Sequence, residues 1–362
     1  MTKIVLLYKS RSDEDTYYSE KINGGIEKFA RNLGSVIDDI IPVVVSPEQR
    51  RQRQTRTIIE SALSTHNPDV VITNDIDNLY TKFVTDLGYP TIAVIHEPLV
   101  GDIRYVELGK RLIDIHQSGG HVYYVSKAQY QYHSAMCLRL NTVPLPTPTG
   151  FVPSAYVEGN IQYAGEIEYH AGTIGRTDPS KSPFRLHKKL EGSGYKSVVV
   201  TDLPKNNKPG GSTEKYRDSN MHWEAPQYTF RDMDRKFTLD ILSHMGCFVS
   251  TMPQESWGIT AMEALATGIP LILFTDKSDV HASEDIAVSK DHYIKLRTNC
   301  SKSELYEAID KMQKIQNRNE IAELTREKHN KENWKMIIEK MINKRLEDKN
   351  MKIQDNLENF FI

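Results

Sequence analysis

The chain has 362 residues, of which 39% are hydrophobic and 26% charged, so it carries enough apolar residues for the cores of two α/β domains and reads as a soluble globular protein. Its 46 basic and 48 acidic residues leave a net charge of −2, which excludes a global polyanion-binding charge and makes any nucleic-acid contact a matter of local patches. The three cysteines, Cys137, Cys247 and Cys300, are dispersed and make neither a metal spacing nor an even disulfide set, and no stretch reaches the ~18 apolar residues of a membrane span. A cytoplasmic location is the expectation, with no signal peptide at the N-terminus.

Ile4 to Tyr8 is a nearly continuous apolar run and reads as the first strand of a parallel sheet. A polar loop ends at Gly24-Gly25. Ile26, Phe29, Ala30 and Leu33 then repeat at the spacing of one helix face. Paired glycines at a strand-to-helix junction let a backbone approach a ligand closely. Val43 to Val45 reads as a second strand, followed by Arg50, Arg51, Arg53 and Arg56. Loops at the carboxyl ends of such strands face the binding crevice, and guanidinium forks match phosphate oxygens. The plainer alternative is a solvated helix start.

Asp69 to Thr73 and Thr91 to Ile95 read as further strands, the second ending in His96-Glu97-Pro98. Val122 to Val125 is another, closed by Ser126. Pro144, Pro146, Pro148 and Pro153 break regular structure and read as the crossing between domains. The expected boundaries are 1–154 for a first Rossmann-like domain, 155–330 for a second, and 331–362 for a helix returning to the first. In the second domain Ala171 to Ile174 is a strand, followed by Gly175, Arg176 and, after a short polar stretch, Lys181. Val198 to Thr201 is the next strand, and the segment 205–223 fits no pattern. Ser301 and Glu304 form a capping box. In the last helix Trp334, Ile337, Ile338, Met341 and Ile342 lie along one predicted face.

The densest motif is Pro253 to Pro270, read as loop and helix between the strands Cys247–Ser250 and Pro270–Phe274. Gly258 marks the turn, and Gly268 and Pro270 the stop. Glu255 lies in the loop and Glu263 among apolar helix residues, where an unpaired carboxylate is costly and a ribose would satisfy it. The free amides of a helix N-terminus favour anions.

Glu255, Trp257-Gly258, Glu263-Ala264, Ala266, Gly268 and Pro270 together resemble the signature of the retaining GT-B glycosyltransferases of family four. The resemblance spans Gly24 to Pro270 and implies two Rossmann-like domains facing across a cleft. It implies that Glu255 contacts the donor sugar and Glu263 the nucleotide ribose. Ser256, Trp257, Gly258 and Ile259 would offer amides to sugar and pyrophosphate. Gly24, Gly25 and Gly175 would touch donor phosphates, Arg176 and Lys181 would clamp the departing diphosphate, and His96 would lie near the donor sugar and acceptor. The donor would be a UDP-sugar, with no cofactor and no metal. In its Lys- and Asn-rich composition the chain also resembles the glucosyl- and arabinosyltransferases of T-even-type phages, which act on 5-hydroxymethylcytosine in DNA. That resemblance makes DNA the expected acceptor, bound by the four arginines, and the host cytoplasm the location. The alternatives are a bacterial envelope glycosyltransferase and, in another class, a sugar-nucleotide-binding module without catalysis. Oligomeric state is not readable from the sequence.

Overall fold

The structure is a computed structural model that describes residues 2–9, 25–46, 48–49, 53–74, 79–96, 102–140, 144–159, 162–175, 183–201, 228–231, 235–277 and 279–360. Gly24, Arg50, Arg51, Arg176, Lys181, Glu97-Pro98 and the segment 205–223 therefore lie outside the described residues. The chain divides into two compact units, Met1–Tyr156 with Asn330–Ile362, and Val157–His329.

In chain order the elements of the first unit are β1 (Ile4–Lys9), α1 (Gly25–Val36), β2 (Ile40–Val45), α2 (Thr55–His66), β3 (Val70–Asn74) and α3 (Leu79–Asp86). They continue with β4 (Thr91–Ile95), α4 (Asp102–Gln117), β5 (His121–Tyr124), α5 (Lys127–Arg139) and β6 (Gly150–Phe151). The second unit holds β7 (Ala171–Ile174), α6 (Arg185–Leu190), β8 (Ser197–Thr201), β9 (Tyr228–Arg231), α7 (Arg235–Ser243) and β10 (Phe248–Ser250). Then come α8 (Ile259–Ala266), β11 (Leu271–Thr275), β12 (Tyr293–Arg297), α9 (Lys302–Gln313) and α10 (Arg318–Lys328). The last helix, α11 (Lys331–Phe360), belongs to the first unit.

Each unit is built on one parallel sheet. The order is β2-β1-β3-β4-β5-β6 in the first and β12-β11-β10-β7-β8-β9 in the second. Strands β3, β4, β5, β8 and β11 are buried along their whole length, as strands covered by helices on both faces must be. Both sheets reverse their order beside their first strand, between β1 and β3 and between β7 and β10. Ligands of open α/β sheets bind outside the carboxyl ends of the strands at such points.

The Pro-rich segment is not simply a crossing. It contains β6, which pairs with β5 at Tyr123↔Gly150 and Tyr124↔Phe151 and so completes the first sheet. Its two residues are too few to leave a periodic signal. The face expected on α11 also needs one correction. Trp334, Ile338, Met341 and Ile342 are buried, but Ile337 is 37% exposed, because it lies one residue off the stripe that the others share. Trp334 anchors the helix within its unit. Its Nε1 donates to the Pro153 carbonyl at 2.8 Å, and its ring meets Phe29 and Tyr156 edge-on at 5.6 and 5.7 Å.

Candidate functional site

In the second unit the stretch from β10 through α8 to β11 is strand, loop, helix and strand, with β10 and β11 paired in parallel. Gly258 caps α8 at φ 83°, a left-handed conformation that L side chains rarely adopt. A Cβ there would also stand 2.5 Å from Ser283 Oγ. At the other end Gly268 has φ 87°, and a Cβ would stand 2.5 Å from the Arg318 carbonyl oxygen. Each glycine is thus required twice over, by backbone conformation and by space. The first-turn N–H groups of α8 have no carbonyl partner inside the helix, as at any helix N-terminus.

The loop is tied down from three directions. Arg185 Nη1 donates to the Thr251 carbonyl at 3.2 Å. His281, 1% exposed, lies with Nε2 3.0 Å from the Met252 carbonyl and 3.1 Å from Ser250 Oγ. Its Nδ1 accepts from Ser283 N–H at 3.1 Å, so the proton sits on Nε2 and is donated to the loop. Glu284 Oε1 closes a capping box by accepting from His281 N–H at 2.8 Å. Trp257 is 5% exposed, with its ring 5.8 Å from that of His329, so its side chain anchors the loop in the core while its backbone remains in the loop. Ser256 N–H donates to Glu255 Oε1 at 3.3 Å.

Glu263 departs from the sequence expectation. Its carboxylate, 13% exposed, is not unpaired: Arg235 Nη1 lies 2.7 Å from Oε1, and Arg235 Nη2 lies 3.8 Å from Glu158 Oε2. The cost of placing an acid on an apolar helix is met in part by this guanidinium and does not by itself call for a ribose. Sequence reasoning missed Arg235 and His281. Arg235 opens α7 with no fixed spacing to Glu263. The box at His281 and Glu284 has the spacing of a capping box, but with an imidazole where a hydroxyl or carboxylate is usual.

Gly175 directly follows β7, and its N–H donates to the Val200 carbonyl at 3.0 Å. Because β7 pairs with β10, Gly175 and the Glu255 loop leave the sheet from adjacent strands at the switch point. Among the described residues no group of three or more His, Cys, Asp or Glu is placed to hold a metal ion.

In the first unit Gly25 is the first residue of α1. His96 stands just past β4 and is 6% exposed. Its Nδ1 is 3.3 Å from Ser154 Oγ, and its ring meets Phe29 edge-on at 4.8 Å. Burial pushes its pKa down to about 3, so the imidazole is neutral near pH 7. Of the four arginines Arg53 and Arg56 are described; they follow β2, the edge strand one strand away from the β1/β3 switch point, and Arg56 lies in the first turn of α2. Arg53 is exposed with φ 56°, and the Arg56 guanidinium packs 5.2 Å from the Phe83 ring centre.

These two α/β units define a GT-B fold, and solved structures share it. Sucrose-phosphate synthase from Thermosynechococcus elongatus superposes with a TM-score of 0.69 at 12% identity, over 94% of this chain and 98% of that one. Anabaena HepE in complex with UDP and glucose gives 0.67 at 10% identity, over 94% and 99%. The catalytic domain of starch synthase IV from Arabidopsis thaliana, bound to ADP and acarbose, gives 0.61 at 11% identity, over 96% and 100%. No protein-family profile matches the sequence, and neither does any curated protein.

Proposed function

We propose that this chain is a retaining glycosyltransferase that moves a sugar from a UDP-sugar to an acceptor hydroxyl. The observation that carries the reading is the second-unit site. A loop tied by Arg185, His281 and Trp257 holds Glu255 at the N-terminus of α8, the same helix carries Glu263, and Gly175 leaves the adjacent strand. Free amides at a helix N-terminus suit a diphosphate, and two acids suit sugar and ribose hydroxyls. HepE, which shares the fold, is solved with UDP and glucose.

In this reading Glu263, oriented by Arg235, takes the ribose hydroxyls, and Glu255 takes the donor sugar. The amides of Ser256 to Ile259 face the pyrophosphate. Arg176 and Lys181 stabilise the negative charge that grows on the leaving diphosphate as the bond from the sugar's anomeric carbon breaks. The acceptor oxygen forms the new bond on the same face, and its proton passes to a phosphate oxygen of the leaving group. The acceptor we assign is 5-hydroxymethylcytosine in DNA. It rests on the run Arg50, Arg51, Arg53 and Arg56, in which Arg53 is exposed and Arg56 is partly engaged by Phe83.

Calorimetric titration with UDP tests the donor site. The wild-type protein should bind, and Glu263→Gln should bind more weakly by about ten- to a hundredfold, the scale of a charged hydrogen bond. Absence of UDP binding by the wild type would remove the basis for the reading.

A further inference from the structure

Among the described residues, three neighbouring buried side chains of the first unit, Glu27, Asn74 and His96, carry polar atoms without a hydrogen-bond partner. Glu27, in the first turn of α1, is 1% exposed, and among the described residues neither of its carboxylate oxygens has a hydrogen-bond partner. Asn74, the last residue of β3, is fully buried. Its Nδ2 donates to the Ile26 carbonyl at 3.1 Å, which sets it against the peptide that leads into Glu27, and its Oδ1 has no partner. His96, just past β4, has an unpaired Nε2. β3 lies between β1 and β4 in the sheet, so Asn74 and His96 stand at the carboxyl ends of neighbouring strands. Phe29, two residues beyond Glu27, packs its ring on that of His96 at 4.8 Å.

Unsatisfied atoms concentrated in this way call for an explanation, because buried polar groups are almost always paired and each exception costs stability. They lie beside the switch point of the sheet, where ligands of this architecture bind. Their chemistry also selects the ligand. Carboxylate oxygens and an amide oxygen only accept hydrogen bonds, so the complementary group must donate. The sequence marks none of this: Glu27 follows Gly25 and Ile26 as an ordinary first-turn acid.

We propose that Glu27 and Asn74, with His96 beside them, form a subsite that receives hydroxyl groups of the substrate. The proposal rests on the glycosyl-transfer reading above and adds to it the residues of the first unit that select the hydroxyl. The hydroxyl belongs either to the transferred sugar or to the acceptor.

The test uses Glu27→Gln, which keeps the shape, and Glu27→Leu, which removes every polar atom. Melting temperatures are measured without ligand, and KM values for UDP-glucose and for a duplex containing 5-hydroxymethylcytosine are measured separately. The unliganded variants should melt at or above the wild-type temperature, because an unpaired buried acid is removed. One KM should rise by about ten- to a hundredfold, with kcat changed less. A rise confined to UDP-glucose assigns the subsite to the transferred sugar, and one confined to the duplex assigns it to the acceptor. Unchanged KM values for both substrates overturn the proposal, whatever the melting temperature. Because melting needs no turnover, a wild-type protein that transfers nothing sinks the glycosyl-transfer reading separately. In that case a destabilised Glu27→Leu makes Glu27 a structural residue and overturns the subsite as well, whereas a stabilised one still marks a carboxylate held for a ligand.

Discussion

The proposed function gives Glu255 and Glu263 different roles, and their settings in the fold differ as well. Glu263 is 13% exposed and already shares a 2.7 Å ion pair with Arg235, whereas Glu255 sits in a loop held by contacts on either side of it. Glu255→Gln should therefore leave UDP affinity near wild type and depress turnover, while Glu263→Gln should lose UDP affinity. Titration with UDP and steady-state rates separate them, and an equal loss of affinity in both would mean that the roles are wrongly divided. Arg176→Ala or Lys181→Ala should each lower kcat by ~10²–10³, the scale for removing one preorganised charge stabiliser. Wild-type rates in either variant would sink that assignment. The two glutamates were legible in the sequence because a single helix-and-loop unit fixes their spacing. Their supports were not, since Arg235 comes from α7 and His281 from beyond β11, and only folding brings them to the site.

At the scale of elements, α11 tests how the first unit is closed. Trp334→Ala removes a 2% exposed ring that touches Phe29 and Tyr156 and donates to Pro153. The expected loss is about 3–5 kcal/mol, read from denaturant melts. A change under about 1 kcal/mol would contradict the packing described. The strands that were legible are those with continuous apolar runs, such as β1, β3, β4 and β11. Those that were missed have physical reasons. β6 has two residues, β9 is a four-residue edge strand without a continuous apolar run, and β12 is a partly exposed edge strand carrying Lys295 and Arg297. Ile337 lies at the exposed margin of the α11 stripe, and bulk and hydrophobicity alone do not say where a stripe ends.

Across the whole molecule, buried histidines couple stability to acid. Burial pushes His96 and His133 down to about 3, and His187 and His329 to about 4. These are depressed folded-state values, so their stabilising contribution is complete above the unfolded pKa of about 6.5 and is lost as pH falls toward 4 and then 3. Each histidine should lower stability progressively within that window, because the unfolded chain takes up the proton that the folded one refuses. Melting should therefore move to lower temperature from pH 7 to pH 4. A flat profile would show that these rings are accessible to protons in the folded state.

The central claim is glycosyl transfer, and label transfer tests it most directly. Purified protein is incubated with radiolabelled UDP-glucose or other UDP-sugars and, in separate arms, with duplex DNA containing 5-hydroxymethylcytosine, with duplex containing plain cytosine, or with a bacterial envelope polysaccharide. Label should pass from at least one UDP-sugar to the hydroxymethylated duplex and not to the plain one, and Lys181→Ala should reduce that transfer by ~10²–10³. Label reaching an envelope polysaccharide acceptor but neither duplex would keep the enzyme class and replace the acceptor. No transfer to any acceptor and no hydrolysis of any UDP-sugar, from a folded protein, would contradict the claim itself.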